Sequence, residues 1–527
     1  MKLTKRFKLI AVLLIPLLLI ACGSKNESES KDENEKSEKQ ELKVALSAQP
    51  NTFDPLMNTA VVAGYVSGNI FETLLTLDSK GKPVPMLAES VESSEDGKTH
   101  TFKLRQNVKF HNGEEMTADD VVASMNRWAE KNKKAKDQFG EIMFEAEDDY
   151  TVTMVIKEYA LDIWDLLAGR SQYAAIMPKE VVEAEEAVGV TEYIGTGPYK
   201  FVEHKTDQYV HLEKFDEYVM SDEPADGLAG KKEATIDDIY FYFVTDPSTR
   251  TAGIQTGEYD IIDNVPYENY EQLNSDSALN TYVSLTGDLM FWYNKRNGLL
   301  SDPKMRQAVN TVIDNEEIME AAFNIEDLYN LDPGYMSADI ENWASDAGFE
   351  AYNQGDVEKA KQLLEEAGYN GDPITVITSR DYQYYYDSAV VLQEQLKEIG
   401  IEVNLENYDW ATYLEKLEED NIWDIAISGA SYQTTPSQLL VLQSSWAGWT
   451  DDPKITELLS NIRKSDNQDE AKLLWDELQE FLWLEYVPGT PVGGFSSIFA
   501  STDRVQEFNL YPNPVGPTWW DIRLAEE

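Results

Sequence analysis

The chain runs to 527 residues with 96 acidic and 44 basic side chains, a formal net charge of −52 and a single cysteine. A polyanion of this size is repelled by phosphate backbones, so nucleic acid is not an expected partner, and most of the acidity reads as solvated surface. One cysteine excludes a disulfide framework, so hydrophobic cores must supply stability, and the length suits two or three lobes of about 100–200 residues each.

Residues 1–21 carry Lys2, Lys5, Arg6 and Lys8 ahead of an apolar run from Leu9 to Ala21, the order of a secretion signal. The run is shorter than the roughly 20 residues a helix needs to cross a bilayer. Leu19-Ile20-Ala21-Cys22 resembles the bacterial lipobox, which implies cleavage before Cys22, lipidation of Cys22 with diacylglycerol bearing palmitate-type chains, and anchoring to the outer side of the cell membrane. From Gly23 to Gln40 there is no apolar side chain, so 22–41 reads as a disordered charged tether, unable to bury enough surface to offset its ordering entropy.

Leu42, Val44 and Leu46 alternate with Lys43 and Ala45 and predict a first strand. Thr101 to Arg105, Asn107 to Phe110 and Thr151 to Ile156 alternate likewise, with turn chemistry ahead of them at Glu95-Asp96-Gly97. Between them, Thr117 and Asp120 form a capping pair before a helix whose buried stripe is Val121, Val122, Met125 and Trp128. The second half changes period. Val357, Ala360, Leu363, Leu364 and Ala367 share one helical face that stops at Gly368. Ile374 to Ile377 predicts a strand, Gln383 to Ile399 a helix closed by Gly400, Ile401 to Leu405 a strand, Trp410 to Glu419 a helix and Trp423 to Ser428 a strand. This alternation calls for parallel strands joined by right-handed crossovers, an α/β lobe.

Pro85-Met86-Leu87-Ala88-Glu89-Ser90, Asp96-Gly97, Phe102-Lys103-Leu104-Arg105 and Val108-Lys109-Phe110-His111-Asn112-Gly113, continued by Thr117 to Val122, resemble the signature of the extracellular solute-binding proteins of family 5. These are the oligopeptide, dipeptide and nickel receptors of ABC importers. Phe53-Asp54-Pro55, Gly195-Thr196-Gly197-Pro198-Tyr199 and Lys359 to Tyr369 match in step. The resemblance implies a type II periplasmic-binding-protein-like α/β fold with an extra inserted domain. Its lobes would be domain I from 42–80, 195–287 and 497–527, domain II from 81–194, and domain III from 288–496. The chain would cross between the first and third near residues 287 and 497, crossings that act as hinges. Closed and loaded, such a receptor, a monomer, docks on a permease driven by an ATPase subunit.

Family members often place an Asp just after the strand matching Trp423 to Ser428, where it pairs with the amino terminus of a peptide. This chain has Tyr432 there, within Gly429-Ala430-Ser431-Tyr432-Gln433-Thr434-Thr435-Pro436, and no carboxylate between Asp424 and Asp451. Expected ligand contacts are Tyr382, Tyr408, Trp410, Gly429, Ala430, Ser431, Tyr432 and Trp446. Aromatics give apolar area with a polar handle, and Trp410 and Tyr432 stand at loop-proximal strand ends, where open α/β sheets bind ligands. Trp423 is assigned to the core.

Enzyme signatures are wanting. Gly97-Lys98-Thr99 mimics the end of a P-loop, but Glu92 stands where its first glycine belongs. The four histidines have no helical pairing for zinc, and no Gly-x-Ser-x-Gly elbow occurs. No metal, cofactor or catalytic residue is expected. The sequence therefore reads as a lipid-anchored oligopeptide receptor and not an enzyme. The alternatives are the same role for an oligosaccharide or nickel chelate, or a secreted hydrolase.

Overall fold

The structure, a computed structural model, describes residues 39–525; the signal segment, Cys22 and the tether as far as residue 38 lie outside them. The last three residues expected in the tether belong to the folded body instead. Lys39 Nζ lies 3.1 Å from an Asp238 carboxylate oxygen, Gln40 N donates to Asp237, and the strand Glu41–Leu46 begins one residue before Leu42.

That strand lies inside a continuous sheet of eleven strands. It pairs in parallel with Asp238–Phe243 on one side and Ile261–Ile262 on the other, and beyond Asp238–Phe243 come Tyr209–Lys214 and Tyr199–Lys205, both antiparallel. Two long antiparallel strands, Leu279–Tyr293 and Gly489–Thr502, carry the sheet across the molecule. Both expected crossing points lie on them. Their register shifts between Leu285 and Gly287, leaving Thr286 as an extra residue on its strand, the hallmark of a β-bulge. A Cβ added at Gly287 would sit 2.2 Å from the Ala430 carbonyl oxygen, so only glycine allows this approach of neighbouring strands.

Beyond Leu279–Tyr293 the order is Ile425–Ser431, antiparallel to it, then Ile374–Ser379 and Val403–Tyr408, each parallel to its neighbour. The helices Gln383–Glu398 and Trp410–Leu417 join them, so the predicted α/β alternation is present. Two strands start later than their hydrophobic patterns suggest. Ile401 N donates to Leu396 O, with Gly400 in the left-handed region at φ +86°, so the residue expected to open a strand completes the helix end instead. Trp423 is buried but precedes Ile425–Ser431. Asn107 to Phe110 is likewise not a strand: Asn107 has φ +59°, and only Lys109 forms a bridge, to Glu115.

The strand alternation also sorts the cores. Leu289, Phe291 and Tyr293 pack with Ile374, Leu392 and Ile427, while Met290 and Trp292 turn to the other face and join Ile377, Tyr413 and Trp423. The third core lies largely in the region 42–241. There the four-stranded antiparallel sheet of Ala88–Ser93, Thr99–Leu104, Thr151–Ile156 and Ile142–Asp148 is covered by the helix Ala118–Lys131. Thr117 and Asp120 cap that helix as predicted, Thr117 N donating to Asp120 Oδ2 at 2.9 Å, and Val121, Met125 and Trp128 are fully buried.

Candidate functional site

A cavity of about 630 Å³ opens where the long strands, the helix Val61–Ile70 and the segment 134–173 meet, a volume within the range of small-ligand sites. Its wall is mixed. Aromatic and aliphatic groups come from Tyr65, Met290, Trp292, Trp410, Tyr432 and Trp446, and ionisable ones from Lys134, Asp165, Arg170 and Asp288.

Of the eight expected contacts, Trp410, Gly429, Ala430, Ser431, Tyr432 and Trp446 line this cavity. Tyr382 and Tyr408 do not. The Tyr382 ring packs edge-on against Trp410, with ring centres 4.9 Å apart, and so supports a wall residue from behind. The Tyr408 hydroxyl donates to Glu406 on its own strand. Tyr382 belongs to an aromatic cluster with Tyr384, Tyr385 and Trp410, which sequence proximity cannot distinguish from a ligand surface.

The local structure explains how the wall is set. Asp409 caps the helix Trp410–Leu417 by accepting from Thr412 N at 3.0 Å, and Asp381 accepts from Trp410 N at 2.7 Å. The indole then stacks on Tyr413 with ring centres 5.1 Å apart and planes 12° apart. On the neighbouring strand Gly429 N donates to the Tyr385 hydroxyl, and a Cβ there would meet that oxygen at 2.7 Å. Only Ile425 and Ala426 of this strand pair with Ile374–Ser379. From Ile427 to Ser431 its ladder partner is Leu279–Tyr293 alone; on the other edge no strand follows, and the hydroxyls of Tyr413 and Tyr385 hold Ile427 O and Gly429 N instead.

Burial dominates the electrostatics. It pushes the Lys134 ammonium and the Arg170 guanidinium down, and pushes the Asp288 carboxyl well up, with the charge of Asp332 adding to the latter. Burial, and then the neighbouring Asp162, raise the Asp165 carboxyl to about 8. A folded-state value above the usual carboxyl range means the folded protein binds a proton that the unfolded chain has lost between about pH 4 and pH 8, so stability falls as pH rises through that window. Asp165→Asn removes this contribution. Urea unfolding across the window is expected to show a shallower decline for the variant than for the parent; parallel curves would contradict the assignment.

None of the four histidines lines the cavity. His111, whose Nε2 is 2.9 Å from Gly197 O, is lowered to about 4 by burial, which makes it a structural group. Among the described residues no group of three His, Cys, Asp or Glu side chains is placed to hold a metal ion, and no helix is long and apolar enough to cross a membrane.

The sequence model of the bacterial extracellular solute-binding proteins, family 5 Middle, matches residues 82–455. The chain belongs to this family. A probable peptide ABC transporter periplasmic-binding protein of Sinorhizobium fredii, y4tO, is 28% identical over 500 residues, covering 90% of this chain and 92% of its own. The oligopeptide-binding protein AppA of Bacillus subtilis is 28% identical over 475 residues, 84% of this chain and 83% of the relative. In structure, the substrate-binding protein CtaP of Listeria monocytogenes superposes with a TM-score of 0.81 at 23% identity, over 92% of this chain and 99% of that one. The family 5 fold expected from the sequence motifs is therefore the observed one.

Sequence reasoning placed the wall residues of 410–446 and missed those contributed from elsewhere: Tyr65, Lys134, Asp165, Arg170 and Asp288. For one of these a signal existed. Asp288 is the only charged residue between Asp276 and Lys295, set directly against the apolar run Leu289-Met290-Phe291-Trp292.

Proposed function

We propose that the protein is the extracytoplasmic receptor of an ABC importer, capturing oligopeptides in this cavity and passing them unaltered to a membrane permease powered by an ATPase subunit. The observation that carries the reading is the strand end Gly429, Ala430 and Ser431 at the cavity, whose outer edge is met by a tyrosine hydroxyl and not by a second strand and is flanked by Trp410 and Tyr432. An extended peptide can add to such an edge through its backbone while aromatic and roomy walls tolerate varied side chains. Its relatives y4tO, a probable peptide ABC transporter periplasmic-binding protein, and AppA, an oligopeptide-binding protein, support the same reading.

In this reading the lobes are 42–80 with 195–287 and 497–527, 81–194, and 288–496. Closure is a hinge motion at the crossings near 287 and 497, drawn by the extra contacts a bound peptide makes in the shut form. The receptor works as a monomer, held to the membrane by acyl chains on Cys22. A mixed peptide pool incubated with the protein and followed by native mass spectrometry is expected to give one intact peptide bound per chain. Loss of intact peptides with accumulation of fragments would overturn the reading in favour of a hydrolase.

A further inference from the structure

The cavity wall holds a buried acid with unmet bonding capacity. Asp288 is 5% exposed, and its Oδ1 has no hydrogen-bond partner. In the two ladders that flank it, it stands opposite Ala430 and Gly494. The titratable groups facing it are Asp332, Tyr432 and Tyr352, none of them a cation. Asp332 is satisfied within the protein, accepting from Gly334 N and Ala338 N at 2.9 Å each. Arg170 spends its donors on the carbonyls of Val515 and Gly64, and among the described residues no ion pair joins Asp288 to it or to Lys134.

A buried carboxyl without a cation beside it destabilises the fold that carries it. The same group on the wall of a ligand cavity can obtain its partner from the ligand. We infer that Asp288 is the anionic subsite for a cationic group of the ligand, a protonated amine or a guanidinium, and that it makes the cavity select for positive charge. The inference rests on the peptide-receptor reading and adds which chemistry the cavity grips by charge. Burial and the adjacent Asp332 hold the carboxyl well above its ordinary range, as for a carboxylate with no cation beside it. Tyr432, directly after the strand that pairs with Asp288, is 5% exposed and sets its hydroxyl beside the Asp288 carboxyl, so a second polar atom of the same corner stands where the incoming group would arrive.

In a peptide the cation comes either from the terminal ammonium or from a lysine or arginine side chain. Three C-terminally amidated tetrapeptide pools built from alanine, leucine and serine separate the sources: one with free amino termini, one N-acetylated, and one N-acetylated with a single lysine added. Binding of each is measured by calorimetry to the full chain and to Asp288→Asn. At least one charged pool is expected to bind the parent about thirtyfold or more tighter than the neutral pool, as for a desolvated charge pair. Asp288→Asn is expected to erase that preference while unfolding at no lower temperature than the parent, since it removes a buried charge and leaves no partner stranded. Equal binding of all three pools to the parent, or a preference that survives in Asp288→Asn, overturns the subsite and leaves the receptor reading standing. A variant that unfolds earlier marks Asp288 as a structural group instead. Failure of every pool to bind the parent overturns the receptor reading, and this inference with it.

Discussion

Arg127→Ala is expected to lower the stability of the protein by about 3–5 kcal/mol, the typical cost of stripping one partner from a buried ion pair. Arg127 sits on the helix Ala118–Lys131 and is 5% exposed, while Asp54 is fully buried. Its guanidinium holds both Asp54 oxygens, at 2.5 and 3.2 Å, and reaches Glu185 at 2.5 Å through Nε. Without the arginine, the Asp54 carboxylate keeps only the backbone N–H groups of Leu56 and Val190 as partners. The double variant Asp54→Leu with Arg127→Met exchanges the pair for apolar groups and is expected to recover most of the loss, because desolvating two charges offsets much of their attraction. Urea unfolding of the parent, the single and the double variants measures both. A single variant within about 1 kcal/mol of the parent would show that water reaches the pair. Since Asp54 also lines the cavity, the single variant should weaken ligand binding as well as the fold.

Trp410→Ala and Tyr432→Ala are each expected to weaken peptide binding by about 2 kcal/mol or more, roughly thirtyfold, as for aromatic anchors at the centre of an interface. Their effects on stability should differ. Trp410 is only half-buried, and its loss leaves Tyr413 and Tyr382 to close the gap, so little stability should go with it. Tyr432 is 5% exposed, and its truncation enlarges a cavity, at a cost of about 2–4 kcal/mol. Tyr432→Phe separates the two contributions. It keeps the packing of the ring and removes only the hydroxyl beside Asp288, so it should cost little stability while testing that group's contact with ligand. Calorimetry on a peptide that binds the parent reads all three, and unchanged affinity in both alanine variants would place the ligand elsewhere.

How much of this was legible beforehand depended on whether a signal was local. The strand at Leu42, Val44 and Leu46, the capped helix after Thr117 and the helix ending at Gly368 were readable because periodicity and terminal residues lie within one element. Strand starts at Val403 and Ile425 were misjudged by two residues, since apolar residues that finish a helix or fill a core look the same as those that open a strand. Site residues followed the same division. Gly429 to Tyr432 and Trp410 sit where α/β topology puts a binding edge, so topology sufficed. Lys134 and Asp165 lie on the helices Lys133–Phe139 and Ile163–Ala168, with Arg170 just after the second, far away in sequence, and only the tertiary fold brings them to the cavity. Asp288 was visible as an isolated charge, but nothing local said that its strand would run beside Ala430.

The bulge at Thr286 has a mechanical consequence. Although this residue has no partner opposite it, its hydroxyl accepts from Ser497 N at 2.9 Å and its carbonyl accepts from Asn513 Nδ2 at 2.7 Å. The irregularity is thus stitched on both sides, and the ribbon of Leu279–Tyr293 and Gly489–Thr502 is unbroken through it. A hinge at this crossing would therefore work by twisting a continuous ribbon, with its amides still protected from solvent exchange, much as a leaf spring bends without parting.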